Sequence, residues 1–154
     1  MSVSADDTLV LETTQGTVLV AMRPDLAPGH VARIKELVRD GFYDGVVFHR
    51  VIDGFMAQTG DPTGTGTGGS GKKLKAEFSR EPHVRGVVSM ARAQSPDSGD
   101  SQFFICFDDA TFLDGKYSVW GKVTSGMENV DKIKRGEPVV NPDKIVKARM
   151  AADA

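Results

Sequence analysis

The sequence has few of the features that mark secreted, membrane-spanning or disulfide-rich proteins. Its one cysteine, Cys106, cannot form an internal disulfide and favours a reducing compartment. Its longest apolar run covers only residues 103–107, which is far too short for a transmembrane helix. The first residues, MSVSADD, are acidic and lack the apolar stretch of a secretory signal. We therefore expect a cytoplasmic protein without a membrane segment.

The sequence also lacks an excess of charge of one sign. Its 19 Lys and Arg residues oppose 21 Asp and Glu residues, for a formal net charge of −2. That balance argues against a generally basic surface for binding nucleic acid. A composition of 40% hydrophobic and 26% charged residues argues against intrinsic disorder. The 154 residues fit a single domain over residues 1–154, with a core large enough to fold without a disulfide or a metal.

Most of the chain predicts short β-strands. Residues 9–22 form two period-two runs around a Gln15-Gly16 turn, which is typical of an antiparallel hairpin. Further strand-like runs, separated by loops rich in Gly, Pro, Ser and Asp, cover residues 46–52, 55–58, 86–91, 102–107, 118–123 and 144–150. Many short strands without a βαβ alternation favour a closed or nearly closed antiparallel sheet capped by helices.

Two helices are predicted from apolar side chains at helical spacing. The first begins at Pro28, which suits a first helical turn, and ends before Gly41, which suits the position after a helix. The second is predicted from Ser125 to Gly136. Ser125 and Glu128 have the spacing of a capping box, and basic residues follow near the predicted C-terminal end, where the helix dipole favours them.

The glycine-rich segment 66–71 matches the GxGxxG pattern of dinucleotide-binding loops and, with Lys72, approaches a phosphate-binding P-loop. Such loops work because backbone N–H groups and a helix N-terminus converge on phosphate. Here the segment follows the Asp61-Pro62 turn, and no convincing helical pattern follows it. Lys73 also stands where a P-loop needs Ser or Thr. A flexible surface loop is the favoured interpretation, with nucleotide binding as the lesser alternative.

The histidines and the cysteine show no spacing typical of a catalytic or metal site. His30, His49 and His83 have no ligand spacing with one another or with Cys106, so no metal site is predicted. A Ser-His-Asp triad around His49 lacks any nucleophile-elbow motif, which favours a structural histidine in a strand. Cys106, within FFICF, is interpreted as a small buried hydrophobe rather than a nucleophile.

Three long blocks carry a more specific pattern: FHRVIDGFMAQTGD at 48–61, GVVSMARAQSPDSGDSQFFI at 86–105 and FLDGKYSVWGKV at 112–123. In order and spacing they resemble the signature blocks of the cyclophilin family of peptidyl-prolyl cis–trans isomerases, and the likeness extends over nearly the whole chain. The resemblance implies a mostly β fold, an eight-stranded antiparallel closed β-barrel capped by two α-helices. It also implies a monomeric enzyme that needs no cofactor, rotates X–Pro peptide bonds and assists protein folding.

The resemblance also implies positions for the site residues. Arg50 would be the catalytic arginine, Gln58 would orient the substrate, and Phe55 would complete the catalytic group. The proline pocket would be formed by Phe55, Met56, Phe104 and Leu113. The remaining substrate-binding positions would be Ala91, Arg92, Ala93, Gln102, Phe112 and Tyr117.

Three of these positions depart from the best-known eukaryotic members of the family. Phe112 replaces a tryptophan, Tyr117 replaces a histidine, and Arg92 replaces the usual asparagine. We expect these changes to affect ligand preference more than activity. The expected partners are proline-containing peptides and unfolded or folding proteins. Cyclosporin is expected to bind in the same groove with reduced affinity, because Phe112 lacks an indole N–H donor.

The residue types suit a rotation that makes and breaks no bond. Resonance in the peptide bond imposes a barrier of about 18–20 kcal/mol, so uncatalysed X–Pro exchange is slow. In the twisted transition state the prolyl nitrogen regains a lone pair, to which the permanently charged guanidinium of Arg50 can donate. A proline-peptide binding module that has lost catalysis is the alternative, and the intact Arg50 argues against it.

Overall fold

The computed structural model describes residues 4–153. Within that range the chain forms eight strands and two α-helices, together with three short 3₁₀ turns. The strands are β1 (Thr8–Thr13), β2 (Gly16–Met22), β3 (Arg50–Ile52), β4 (Met56–Thr59), β5 (Val87–Met90), β6 (Phe103–Cys106), β7 (Val119–Ser125) and β8 (Ile145–Met150). The helices are α1 (Pro28–Arg39) and α2 (Met127–Val130). Expectations for residues 1–3 lie outside the described residues, and the single domain over 1–154 stays a prediction.

All eight strands pair antiparallel in one curled sheet, in the order β3-β4-β6-β5-β7-β2-β1-β8. The mostly β architecture with two helices is confirmed. The expected closure of the barrel is only partial. Just before the two edge strands, Val47 and Lys144 form an isolated bridge, and Phe48 N–H donates to the carbonyl of Asp143. Beyond this bridge, β3 does not pair with β8. Its outer edge pairs with Gly136 instead, through two 2.8 Å hydrogen bonds between Val51 and Gly136.

The barrel interior and the inner face of α1 form the larger of two apolar cores. Trp120 and Phe103 meet edge to face at its centre, with ring centroids 5.2 Å apart. The Tyr43 hydroxyl donates to the carbonyl of Ser101 over 2.8 Å, which gives this buried phenol a partner. A smaller core lies on the other face of β4, β5 and β6 and lies beneath the site described below. No helix within residues 4–153 is long and apolar enough to cross a membrane.

The predicted hairpin and the first helix are confirmed, and the second helix is much shorter than predicted. α1 begins at Pro28, and the chain turns away at Gly41, whose φ is +74°. α2 has only four residues, and its N-cap is Gly126 with φ +87°, so the predicted capping box does not form. Ser125 cannot act as the cap because it pairs with Leu19 at the end of β7. After α2 the chain continues in tight turns down to Ile133, which is buried.

Candidate active site

Arg50 and Gln58 stand directly opposite each other on β3 and β4. Arg50 Nη1 donates a 3.3 Å hydrogen bond to Gln58 Oε1. On the next strand of the sheet, Phe104 of β6 is the partner of Gln58. The antiparallel register therefore brings a cation, an amide and an aromatic ring from three neighbouring strands to one place on the barrel surface.

A chain of amide hydrogen bonds fixes the orientation of Gln58. Its Nε2 donates to Gln102 Oε1 over 2.9 Å. Gln102 Nε2 in turn donates to the carbonyls of Gly66 and Gly68, over 3.0 and 2.9 Å. Because both amide nitrogens are committed in this direction, the oxygen of Gln58 faces Arg50.

On its other side, Arg50 is bonded to Glu137. Arg50 Nε donates to Glu137 Oε1 over 3.0 Å. The guanidinium is partly exposed, with 40% of the side chain accessible. It is thus held by two partners and still open toward solvent. Glu137 was not indicated by any sequence pattern, since it lies far along the chain, just after Gly136 at the end of the predicted second helix.

Beside Arg50 lies a small cavity of about 120 Å³. This volume is well below that of pockets for drug-sized ligands and suits one small ring. Most of its lining side chains are apolar or aromatic, and two arginines and one glutamine add polar groups; the lining residues are Arg50, Phe55, Met56, Gln58, Ala91, Arg92, Phe104, Leu113 and Tyr117. The structure therefore brings together nine of the predicted site residues, including the whole predicted proline pocket.

The walls of this cavity are packed against one another. Phe104 and Tyr117 meet edge to face, with ring centroids 5.6 Å apart and planes at 85°. Met56 and Leu113 are buried beneath them. The Arg92 guanidinium lies over the Tyr117 ring, 4.8 Å from its centroid, and donates to three backbone carbonyls nearby. Its charge serves to tie the surrounding loops together.

The other three predicted positions lie around the cavity rather than in it. Phe112 is 65% exposed at the rim, with its ring 5.5 Å from that of Phe55. Ala93 and Gln102 line an adjoining cleft of about 300 Å³, which reaches from Gln58 to the glycine-rich segment. Eleven of the twelve predicted residues thus line the cavity or the adjoining cleft, which together form the groove, and Phe112 lies at its rim. Their roles stay predictions.

The backbone of the glycine-rich segment is wrapped around two carboxylates. Gly66 and Gly68 N–H donate to Asp61 Oδ2, over 2.6 and 3.1 Å. Further along, Ser70 and Gly71 N–H donate to Asp100. Burial alone would raise the pKa of Asp61, but these donors and the Thr63 hydroxyl outweigh it and hold that pKa far below its usual value. Since four of the six N–H groups of segment 66–71 are already bonded to carboxylates, the segment does not support nucleotide binding.

The structure agrees with a structural interpretation of His49 and Cys106. His49 is buried ahead of β3, and neither of its ring nitrogens hydrogen-bonds to a described residue, so it forms no triad. Burial lowers its pKa. Cys106 is buried in β6, where desolvation raises the pKa of the thiol to about 12, so it is unsuited to act as a nucleophile.

Sequence comparison relates this groove to a known family. Residues 8–150 match the family model described as cyclophilin type peptidyl-prolyl cis-trans isomerase/CLD. A probable peptidyl-prolyl cis-trans isomerase of Brucella suis biovar 1 (strain 1330) is 56% identical over 165 residues, which cover 96% of this chain and 84% of the relative. Peptidyl-prolyl cis-trans isomerase B of Bacillus subtilis (strain 168) is 48% identical over 116 residues, which cover 74% of this chain and 80% of the relative.

Two crystal structures have closely similar folds. A cyclophilin from Hirschia baltica superposes with a TM-score of 0.92 at 34% identity, covering 100% of this chain and 77% of that chain. A cyclophilin type peptidyl-prolyl cis-trans isomerase of Cryptosporidium parvum, crystallised in the presence of the dipeptide Ala-Pro, has a TM-score of 0.86 at 28% identity. The match covers 93% of this chain and 98% of the Cryptosporidium chain.

Proposed function

The chain belongs to the cyclophilin-type peptidyl-prolyl cis–trans isomerases and catalyses rotation about X–Pro peptide bonds, and from this premise we propose that Arg50 stabilises the twisted amide while the adjoining apolar cavity holds the proline ring. The observation that carries this assignment is the position of Arg50. Arg50 lines the cavity, its guanidinium is bonded only to the side chains of Gln58 and Glu137 among the described residues, and its Nη2 makes no hydrogen bond to them. Arg92, the other arginine that lines the cavity, instead lies over the Tyr117 ring and donates to three backbone carbonyls.

The barrier falls because Arg50 binds the transition state better than the ground state. The planar amide nitrogen is a poor acceptor, whereas the pyramidal nitrogen of the twisted state carries a lone pair. Gln58 and Glu137 hold the guanidinium before substrate arrives, so little reorganisation is needed during the reaction. A barrier lowered by about 5 kcal/mol corresponds to nearly four powers of ten in rate.

The cavity contributes to substrate binding by holding the proline ring, and it supplies no reacting group. Phe55, Phe104 and Leu113 can enclose one proline ring while the preceding carbonyl rotates outside. By displacing water, the apolar walls also strengthen the hydrogen bond from Arg50. No nucleophile or proton shuttle is required, because no covalent bond is made or broken.

The substrates we propose are proline-containing peptides and unfolded or folding proteins, whose folding the enzyme would assist. The Cryptosporidium structure was obtained in the presence of Ala-Pro, a ligand of this class. The cleft beyond the cavity gives room for residues that flank the proline. We further propose that the protein acts as a monomer in the cytoplasm and that cyclosporin binds the same groove with reduced affinity.

The deciding experiment measures isomerisation of a short Xaa-Pro peptide by NMR exchange, for the wild type and for Arg50→Ala. We expect Arg50→Ala to lose at least tenfold in kcat/KM, about 1.4 kcal/mol or more, and to keep peptide binding and thermal stability. Arg39→Ala is the matched control, since Arg39 is exposed on α1 and its one ion-pair partner within residues 4–153 is Asp153. Near wild-type turnover by a folded Arg50→Ala protein would refute the role of Arg50. A wild type that binds the peptide without accelerating its exchange would instead be a binding module.

A further inference from the structure

A buried histidine lies directly behind the wall of the proline cavity. His83 precedes β5 and is 0% exposed. Its Nδ1 is 3.0 Å from Asp114 Oδ1, and its Nε2 is 3.0 Å from Ser89 Oγ. Burial lowers the pKa of His83 despite the nearby carboxylate, so the ring is neutral at pH 7. The proton then lies on Nδ1, facing Asp114, and Nε2 accepts from the Ser89 hydroxyl.

The order Ser89, His83, Asp114 matches the hydrogen-bond order of a hydrolase triad, but the arrangement is not one. A nucleophile must reach its substrate. Ser89 is fully buried in β5, opposite Phe104 on β6, and lines none of the cavities along the groove. The three groups therefore form an internal clamp that satisfies buried polar atoms.

The ring of His83 contacts two aromatic walls of the cavity from behind. It lies nearly parallel to Phe104, with centroids 6.1 Å apart and planes at 20°. It also meets Tyr117 edge to face, with centroids 6.3 Å apart. Phe104 and Tyr117 both line the cavity, whereas His83 does not. The position of these two rings thus depends on a side chain that the substrate cannot touch.

His83 also holds both ends of the turn that carries Leu113. At one end, Ala110 N–H donates to the carbonyl of His83 over 2.8 Å. At the other, Asp114 accepts from the backbone N–H of His83 over 2.7 Å as well as from its ring. Leu113, between these anchors, is buried against the cavity. A third wall is therefore fixed by the same residue.

On the premise of the function proposed for the cavity, we propose that His83 is a positioning residue: clamped by Ser89 and Asp114, it sets the geometry of the proline pocket and thereby the affinity for the proline ring. It acts without contacting substrate. Arg50 is held separately, by Gln58 and Glu137. Because the pocket grips the ring in both the ground state and the transition state, loosening it raises KM and leaves kcat largely unchanged.

His30 provides a matched control. It too is a buried histidine whose Nδ1 contacts a carboxylate, Glu77, which also accepts from its backbone N–H. It lies in the first turn of α1 and lines neither the proline cavity nor the adjoining cleft. His30→Gln and His83→Gln therefore both remove a buried imidazole with a carboxylate partner. Of the two imidazoles, that of His83 packs against the walls of the proline cavity.

The test measures Kd, KM and kcat for one Xaa-Pro peptide, together with thermal unfolding. We expect both variants to unfold at lower temperature. His83→Gln should raise KM and Kd about five- to tenfold with kcat within about threefold, and His30→Gln should leave all three near wild type. Equal KM values in wild type and folded His83→Gln would overturn the positioning role. An equal rise of KM in both variants would also overturn it, since general loosening would then be the cause.

Ser89→Ala keeps the test decisive if His83→Gln does not fold. This change removes only the hydroxyl donor to Nε2 and should raise KM in the same direction by a smaller factor. The long-range ¹H–¹⁵N spectrum of the imidazole should show the Nδ1–H form in wild type and a shifted Nε2 signal in Ser89→Ala. A protein with that shift and an unchanged KM would overturn the role. Loss of kcat in Arg50→Ala reports on the proposed function independently, because His83 variants are judged by peptide affinity.

Discussion

Arg50 and Gln58 are joined across directly opposed positions of β3 and β4, with Arg50 Nη1 donating to Gln58 Oε1 over 3.3 Å. The contact is one link of a chain that continues through Gln102 to the carbonyls of Gly66 and Gly68. The orientation of the guanidinium therefore depends on a glycine-rich segment that makes no hydrogen bond to it. This segment, which resembles a ligand-binding loop in sequence, acts in the structure as a support.

Breaking the amide chain in its middle should impair the reaction while leaving Arg50 in place. Gln102→Leu removes the acceptor of Gln58 Nε2, so the Gln58 amide can turn its oxygen away from Arg50. We expect kcat/KM for an Xaa-Pro peptide to fall about three- to tenfold, or roughly 1 kcal/mol. Gln15→Leu is the control, because the one side-chain partner of the Gln15 amide among the described residues is Asp143, which does not line the groove. Equal kcat/KM in the two variants would contradict the proposed role of the chain.

Asp61 should stabilise the fold in a pH-dependent way. It is buried, and its pKa lies far below the usual 3.8 because the N–H groups and hydroxyl around it outweigh its burial. A lowered folded-state pKa gives stability that is fully present above the unfolded-state pKa and is lost as the pH falls through the folded-state value. Asp61→Asn should therefore lower the free energy of unfolding at pH 7 by about 2–3 kcal/mol, and by less at pH 3.

Urea unfolding of both proteins at pH 7 and pH 3 measures this difference. Asp53→Asn is the control, since Asp53 is an exposed carboxylate paired with Arg135 at the surface, where such pairs contribute little. If the free energies of unfolding of the wild type and Asp61→Asn differ by the same amount at pH 7 and at pH 3, the pH-dependent role of Asp61 is contradicted.

Catalysis should be nearly independent of pH from about 6.5 to 8.5. Burial lowers the pKa of His49, beside the site, and of His83, behind it, so both rings stay mostly neutral in this range. The reaction itself transfers no proton, and the guanidinium of Arg50 keeps its charge. NMR exchange on one peptide across the range is the measurement. A bell-shaped profile would show general acid–base catalysis, with His49 as the first residue to substitute.

The sequence predicted those parts of the fold whose signals are local. The hairpin follows from the turn at Gly16, and α1 follows from Pro28, an apolar stripe and Gly41. α2 was predicted to be too long because the capping signal at Ser125 is also local. In the structure Ser125 is the last residue of β7 and pairs with Leu19, so it cannot begin a helix. Partial closure of the barrel had no sequence signal, since it depends on Gly136 reaching β3 from a distant loop.

In the groove, too, the residues with local sequence signals were predicted and those that depend on tertiary contacts were missed. Nine of the twelve predicted residues line the cavity because they lie in long contiguous blocks whose strands pair in register. Glu137 and His83 were missed because each is isolated in sequence and acquires its partners only through tertiary contacts. For His83 the only available hint was its type, a histidine just ahead of an apolar strand, which is too common a pattern to indicate a role.

Phe112 should control the affinity for cyclosporin more than the affinity for substrate. It is exposed at the rim, packed beside Phe55, and outside the cavity that would hold the proline ring. A tryptophan here would add an N–H donor, worth about 0.5–1.5 kcal/mol. It would also add about 30–40 Å² of buried apolar area, worth about 1 kcal/mol. Phe112→Trp should therefore bind cyclosporin about tenfold to seventyfold more tightly than wild type, with peptide turnover within a few fold.

Tryptophan fluorescence makes this titration direct. The single native tryptophan, Trp120, is buried against Phe103 in the barrel core, so the emission of the wild type should change little when cyclosporin binds. In Phe112→Trp the added indole lies at the rim, and its emission should shift on binding. Phe78→Trp is the control, because Phe78 is also exposed and lines neither cavity of the groove. Calorimetry supplies the affinity of wild type for comparison. Equal affinities for wild type and Phe112→Trp would show that the rim aromatic does not set the preference for this ligand, and control would then have to lie deeper, among the walls at Phe104 and Tyr117.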